Sequence, residues 1–238
     1  MATPATSVRT ADHRYYYAVA AGLLFVVFVG FSRSYYLKWL FFKEDLPLLV
    51  HVHGAVMTAW YALFAVQVRL VATHRVALHR KLGVAGIVLS AAVAVLGTRV
   101  SIGLAQRRLI ANPKSELGPF LLSFQLFAIV LVFIVMISLA LYWRRRGDFH
   151  KRCMTLAMLS TLGPAVVRWP GIDDHSIPVA IAIMIALIIL CIVADTVRNR
   201  RLHPVFGWGG AYVIGSIFMA AGLGQTAAWM GFVRRMLI

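Results

Sequence analysis

Residues 177–196 read IPVAIAIMIALIILCIVADT, and this stretch carries a single charged side chain, that of Asp195. A helix of about 20 predominantly apolar residues is long enough to cross the hydrocarbon core of a bilayer. Six further stretches have a comparable length and composition. The sequence therefore predicts an all-α fold, a polytopic transmembrane bundle of seven helices at roughly 16–39, 47–70, 82–104, 118–142, 153–170, 177–196 and 206–232.

The composition of the whole chain supports this fold class. Of the 238 residues, 61% are hydrophobic and 13% are charged, whereas soluble domains carry about 45–50% apolar and about 25% charged residues. No stretch is left for a soluble domain, so we expect a single integral-membrane domain over 1–238. The net charge of +16 comes mainly from cations at the ends of the apolar stretches. It favours contact with the lipid bilayer and its anionic lipids, and we do not expect nucleic acid as a partner.

The distribution of Lys and Arg between the connections predicts the orientation. The N-terminal tail and the connections 71–81, 143–152 and 197–205 hold 13 cations, whereas the connections on the opposite face and the C-terminal tail hold 6. Cytoplasmic loops carry the excess of positive charge in membrane proteins. We therefore expect a cytoplasmic N-terminus and a C-terminus outside. The fifth stretch contains Gly163-Pro164, which predicts a kink.

Three histidines begin odd-numbered stretches and should share one depth at the cytoplasmic face: His79, His150 and His203. The positive end of the helix dipole disfavours imidazolium, and neutral imidazole is the form that binds metal. With Asp195 at the inner end of the sixth stretch, they form a predicted metal site for Zn, Fe or Cu. The alternative is that each histidine caps a helix or lies among lipid headgroups.

A second set of histidines lies on the predicted outer side. His51 and His53 begin the second stretch, and His175 precedes the sixth. On a helix, residues two apart point about 200° apart, and the spacing of His53 with Trp60 and Phe64 favours His53 as the histidine that faces inward. Haem b is the cofactor that would suit this set, bound by His51 or His53 together with His175. Two of the three inner histidines are the alternative haem ligands.

Four cations lie toward the predicted outer ends of their helices: Arg33, Lys38, Arg99 and Arg168. A cation at the centre of a membrane helix costs about 2.5–3.5 kcal/mol on insertion scales, so arginines near helix ends favour an anionic partner. That partner can be a small anionic ligand, a lipid headgroup or the propionates of a haem, for which Arg99 and Arg168 are the predicted contacts. Pairing with Asp173, Asp174 or phosphates is the alternative.

Several motifs together resemble a widespread family of uncharacterised bacterial polytopic membrane proteins. They are His51-Val-His-Gly, Gln67 with Arg69-Leu, Leu78-His79-Arg-Lys-Leu-Gly, His150-Lys-Arg-Cys-Met, Asp195 and His203-Pro. The resemblance covers nearly the whole chain, from Ser34 to Trp229. It implies a multi-pass protein of the cell inner membrane and marks His53, His79, His150 and His203 for testing. It implies no settled activity.

Three functions follow from these patterns. The first is a histidine-based metal or haem site that supports a redox or other metal-dependent step. The second is binding or transport of an anionic or amphipathic small molecule through the outer arginines. The third is a non-catalytic subunit of an oligomer or a membrane complex. The chain has no G-x-S-x-G nucleophile motif, no Walker A motif and no C-x-x-C-H motif for haem attachment, so whether it is an enzyme stays open.

Overall fold

The computed structural model describes residues 4–43, 45–172 and 176–238, with side chains from Asp12 onward. Across these residues the chain is helical, with short connections and no β-strand, which confirms the all-α prediction. Ten α-helices are present in the described part: α1 (Pro4–Phe31), α2 (Leu48–Ala72), α3 (Val76–Ala111), α4 (Leu117–Ser123), α5 (Leu131–Tyr142), α6 (Gly147–Ser160), α7 (Gly163–Val166), α8 (Ile177–Asn199), α9 (Gly210–Gly224) and α10 (Ala227–Leu237).

Six helical stretches among the described residues are long and apolar enough to cross a membrane. They are Asp12–Tyr36, Leu48–Ala72, Val76–Ala111, Leu117–Tyr142, Ile177–Asn199 and Val205–Gly224. Each corresponds to one of the stretches predicted from the sequence. The chain is therefore a multi-pass helical membrane protein.

The stretch predicted at 153–170 differs, because it is not one helix. Helix α6 ends at Ser160, two turn residues follow, and α7 has only four residues. Pro164 lacks a backbone N–H and its ring clashes with the preceding turn, which favours a kink or a break in the helix at this point. The expected kink is a complete break. The 14 residues of α6 extend about 21 Å, which is less than the hydrocarbon core of about 30 Å.

The stretch predicted at 206–232 is also divided. Its spanning part ends at Gly224, and a separate helix, α10, begins after Thr226. Thr226 caps this helix, since its Oγ1 accepts a hydrogen bond from the backbone N–H of Trp229 at 3.2 Å. Two glycines of this stretch lie close to neighbouring helices, Gly209 at the side chain of Leu156 and Gly224 at Phe120.

Three short π-helical segments continue or precede α-helices in the described part of the chain: Ser32–Tyr36, Phe124–Val130 and Val205–Gly209. A π-helical turn inserts one extra residue into the helix and shifts the side chains that follow. Such turns are rare and occur frequently at functional sites. The first of them ends the spanning stretch Asp12–Tyr36.

The contacts divide the chain into two compact units. The first unit comprises Met1–Pro47, Gly54–Val93 and Leu162–His203. Within it, α1 and α8 run antiparallel, because Trp169, shortly before α8, bonds Val26 near the end of α1 (Nε1 to carbonyl oxygen, 3.3 Å). At the opposite end, the Tyr15 hydroxyl donates to the carbonyl oxygen of Cys191 (2.8 Å).

The second unit comprises Leu48–His53, Ala94–Thr161 and Pro204–Ile238. Within it, α9 packs on the helical stretch that begins with α4, and the buried Ser123 hydroxyl donates to the carbonyl oxygen of Ala220 at 2.8 Å. Helix α6 folds back along α5. The prediction of a single domain over 1–238 stays a prediction.

Candidate functional site

The structure does not assemble the predicted inner metal site. Among the described residues, no group of three or more His, Cys, Asp and Glu side chains is placed to hold a metal ion. The predicted site of His79, His150, His203 and Asp195 therefore has no support from the described residues, which include all four.

The surroundings of these residues give the physical reason. The Nδ1 atom of His150 lies 2.8 Å from the carbonyl oxygen of Ala140, so this ring atom closes the α5–α6 hairpin. The backbone carbonyl of His79 accepts a hydrogen bond from Nε2 of Gln67 at 3.2 Å, which ties α3 to α2. His203 is buried in the short connection before Pro204. These histidines lie at helix ends, and the alternative that each caps a helix or lies among lipid headgroups stays a prediction.

Asp195 belongs to an ion network instead. Its carboxylate is fully buried and pairs with the guanidinium of Arg198, one turn further along α8. The same Nη2 atom of Arg198 lies 2.9 Å from Oδ1 of Asp12 on α1. The guanidinium carbon also lies 4.2 Å from the ring centroid of Tyr15. We call Asp12, Arg198 and Asp195 the α1–α8 clasp; it joins the two helices at one end of the first unit.

The predicted inward face of α2 agrees with the burial of two of its aromatic side chains. Trp60 and Phe64 are buried, and His53 is half-buried, whereas His51 is exposed. The two histidines therefore face different surroundings, as expected for residues two apart on a helix. The third predicted outer histidine, His175, lies outside the described residues, as do Asp173 and Asp174.

A polar site lies at the opposite end of the first unit from the α1–α8 clasp, around the π-helical segment Ser32–Tyr36. The Arg33 side chain is exposed, and its guanidinium carbon lies 5.0 Å from the centroid of the Phe41 ring. The adjacent Ser34 places its Oγ in a buried position where no hydrogen-bond partner is found among the described residues. A buried hydroxyl without a hydrogen-bond partner lowers the stability of the folded protein, and a ligand that forms a hydrogen bond with it would remove this cost.

Two tyrosines of the same segment hold it against α2. The hydroxyl of Tyr36 lies 2.9 Å from Oγ1 of Thr58. The ring of Tyr35 packs on Gly54, where an added Cβ would come within 2.5 Å of the ring carbon Cζ. Glycine at this position of the His-Val-His-Gly motif therefore permits the close approach of the π-helical segment.

Arg168 approaches the same end of α1 from the segment after α7. Its guanidinium carbon lies 5.0 Å from the centroid of the Phe31 ring, and its Nη1 donates to the carbonyl oxygen of Pro164. Gly30, beside Phe31, contacts the backbone of Ala165. Two exposed arginines are thus held on aromatic faces around one turn of α1. We call Arg33, Ser34 and Arg168 with the rings of Phe31 and Phe41 the π-segment site.

The other predicted outer cations are placed differently. Lys38 follows the π-helical segment in a short 3-10 turn and is half-buried. Arg99 is exposed on α3 and belongs to the second unit. Its predicted partnership with Arg168 therefore stays a prediction.

Sequence reasoning missed two features. The α1–α8 clasp was not expected, because Arg198 was counted only as a cation of a connection; its spacing of three residues from Asp195 was the available signal. The π-helical segment was not expected either, because hydrophobic periodicity does not distinguish a π-turn from an α-turn. Comparisons with protein-family models, with curated proteins and with solved structures find no match to this chain.

Proposed function

We propose that this multi-pass membrane protein binds an anionic, amphipathic small molecule at the π-segment site. One observation carries the proposal: the end of α1 holds a buried serine hydroxyl with no hydrogen-bond partner among the described residues, and two arginines stack on phenylalanine rings at this same end. In this proposal a ligand carboxylate or phosphate accepts hydrogen bonds from the guanidiniums and from the serine hydroxyl.

The chemistry of these residues fits such a ligand. Arginine presents its N–H groups in a planar fork that matches carboxylate and phosphate oxygens, and it also stacks on aromatic faces. Arg33 is exposed beside Phe41, and stacking on a ring leaves the edge of a guanidinium accessible to hydrogen-bond acceptors. The neighbouring segment exposes large apolar side chains, those of Trp39, Leu40 and Phe42, which can contact the apolar part of an amphiphile.

The hydroxyl of Ser34 gives the sharpest test. Removing a buried hydroxyl that has no protein partner should not lower the thermal stability of Ser34→Ala, whereas losing a hydrogen bond to a ligand should weaken binding about 2- to 10-fold. Arg33→Gln should weaken binding about 10- to 100-fold, because a charged hydrogen bond is lost. The measurement is titration of the purified protein with a long-chain fatty acid that carries a fluorophore at its methyl end.

The control removes an equal charge elsewhere. Arg144 is exposed in the connection between α5 and α6, and Arg144→Gln should leave the affinity unchanged. An affinity that falls equally in Arg144→Gln and Arg33→Gln would mean general charge attraction. Unchanged affinity in both Ser34→Ala and Arg33→Gln would refute the proposal.

A histidine-based metal or haem centre is the competing function, and the described residues give it no support. A haem needs only two imidazoles, so an absorbance spectrum tests it directly through the Soret band. Elemental analysis of the purified protein tests Zn, Fe and Cu. A stoichiometric metal or haem would replace amphiphile binding as the leading function.

We also propose that the chain crosses the cell inner membrane seven times, with a cytoplasmic N-terminus and an outer C-terminus. In this arrangement α6 and α7 together form one broken crossing. Broken helices are tolerated at membrane depth where protein surrounds them, and α6 is buried from Thr155 to Ser160. The excess of cations at the N-terminal face supports the orientation. Membership of a larger membrane complex is compatible with this topology.

A further inference from the structure

A basic surface lies at the end of the second unit that contains α10. Three elements at this end carry five cations: Arg107 and Arg108 at the end of α3, Lys114 in the next connection, and Arg234 and Arg235 on α10. Glu116 is the one acidic side chain among the described residues of these three elements. We call the five cations together with α10 the C-terminal basic surface.

Direct contacts hold α10 in this position. Trp229 donates from Nε1 to the carbonyl oxygen of Pro119 at 2.8 Å, and Val233 is buried in a core with Leu109. Arg234 donates from Nη2 to the carbonyl oxygen of Lys114 at 3.2 Å. Gln106 on α3 donates to the carbonyl oxygen of Leu237 at 3.3 Å. These contacts hold α10 against the end of α3 and place Arg234 beside Lys114.

A second face of α10 remains open. Phe232 is 49% exposed and Met236 is 64% exposed, one turn apart on the same side of the helix. Arg235 is exposed next to them, and Nε of Arg234 is a buried donor that finds no partner in the described part. An amphipathic helix with large apolar side chains on one face and arginines beside them is typical of helices that lie in the membrane interface.

The length of α3 places this surface at headgroup depth. Lys81 and Arg107 lie near opposite ends of this single helix. At 1.5 Å per residue, they are separated by about 39 Å along its axis. A bilayer including its headgroup regions is about 40–45 Å thick. When α3 crosses the membrane, the cations at both of its ends therefore reach the phosphates.

We infer that the C-terminal basic surface is a binding site for anionic lipid, with the phosphate on its arginines and the acyl chain against Phe232 and Met236. Complementarity of charge and the position of the surface at headgroup depth favour lipid over a protein partner. This inference is independent of the π-segment site. It assigns a ligand to Arg234 and Arg235. These two arginines lie on the predicted outer face, whereas the orientation was predicted from an excess of cations on the cytoplasmic face.

The test measures phosphatidylglycerol bound to the detergent-purified full chain by native mass spectrometry. The test variant combines Arg107→Gln, Lys114→Gln and Arg235→Gln, leaving in place Arg108 and Arg234, which pack against the protein. Each cation near an anionic surface contributes about fivefold, so the expected loss of affinity is about 100-fold. The matched control combines Arg144→Gln, Arg145→Gln and Arg146→Gln, which removes the same charge from exposed residues elsewhere, and should lose clearly less affinity than the test variant.

Two further arms separate lipid from free phosphate. Replacing the exposed apolar residue Met236 (Met236→Ser) should weaken phosphatidylglycerol binding without lowering the thermal stability; Phe232→Ser, which also removes a contact with Trp229, should weaken binding further. Inorganic phosphate should not displace the lipid at millimolar concentration. Equal losses in the two charge variants would overturn the inference. The inference would also be overturned if inorganic phosphate displaced the lipid and the substitutions at Phe232 and Met236 left lipid binding unchanged. The surface would then bind phosphate and not a lipid.

Discussion

Arg198 illustrates how one side chain can organise an end of a membrane bundle. It lies between a fully buried carboxylate, that of Asp195, and a partly exposed one, that of Asp12. Removing charges from water is costly, and mutual attraction compensates only where the geometry is close. Stacking on Tyr15 covers the guanidinium face with an aromatic ring. The clasp therefore depends on all of these groups being present together.

Removal of one acid should expose this dependence. Asp195→Ala leaves Arg198 as a largely buried cation with only Asp12 to balance it, and breaking such a pair costs about 3–5 kcal/mol. We expect a clearly lower midpoint of thermal unfolding in detergent. Asp45 is exposed in the connection before α2, and Asp45→Ala should change the midpoint little. An unchanged midpoint for Asp195→Ala would show that the clasp does not stabilise the chain.

At the scale of elements, the contact between α1 and α7 depends on a glycine. A Cβ at Gly30 would lie 2.7 Å from the carbonyl carbon and 2.8 Å from the Cα of Ala165, and backbone atoms cannot move aside cheaply. Small residues let helices approach closely in a membrane. This contact holds α7 beside the rings that carry the π-segment site.

Two glycines of α1 form a matched pair for a test. Gly30→Ala should separate α1 from α7 and cost about 1–3 kcal/mol of stability. Gly22 has open space where its Cβ would lie, so Gly22→Ala should be neutral or stabilise the helix by about 0.5–1 kcal/mol. Thermal unfolding of both variants decides the question. A smaller destabilisation for Gly30→Ala than for Gly22→Ala would contradict the packing described for α1.

At the scale of the whole molecule, the prediction concerns topology. Lys43 lies in the connection after α1 and Arg145 in the connection after α5, and both are exposed. With a cytoplasmic N-terminus, they should lie on opposite faces of the membrane, Lys43 outside and Arg145 inside. A membrane-impermeant maleimide applied to intact spheroplasts should therefore label Lys43→Cys and not Arg145→Cys.

The native cysteines do not obscure this measurement. Cys153 is fully buried, and Cys191 can be replaced by alanine in the background. Permeabilisation should make Arg145→Cys reactive, which shows that the site is accessible. The reverse labelling pattern would invert the proposed orientation, and labelling of both sites before permeabilisation would exclude an odd number of crossings between them.

The sequence alone determined that this chain is helical and membrane-embedded, because runs of about 20 apolar residues must satisfy their backbone hydrogen bonds internally in lipid. It also indicated the inward face of α2 through Trp60 and Phe64, since helical periodicity is a local property. The tertiary structure decided which polar groups meet. Arg198 pairs with Asp195 on its own helix and with Asp12 on α1, and α10 folds back onto α3 and α4. The contacts of α1 with α8 and of α10 with α3 and α4 join residues far apart in the chain. The free energy of these contacts depends on how deeply the groups are buried and on which groups they pair with. The local periodicity of the sequence specifies neither.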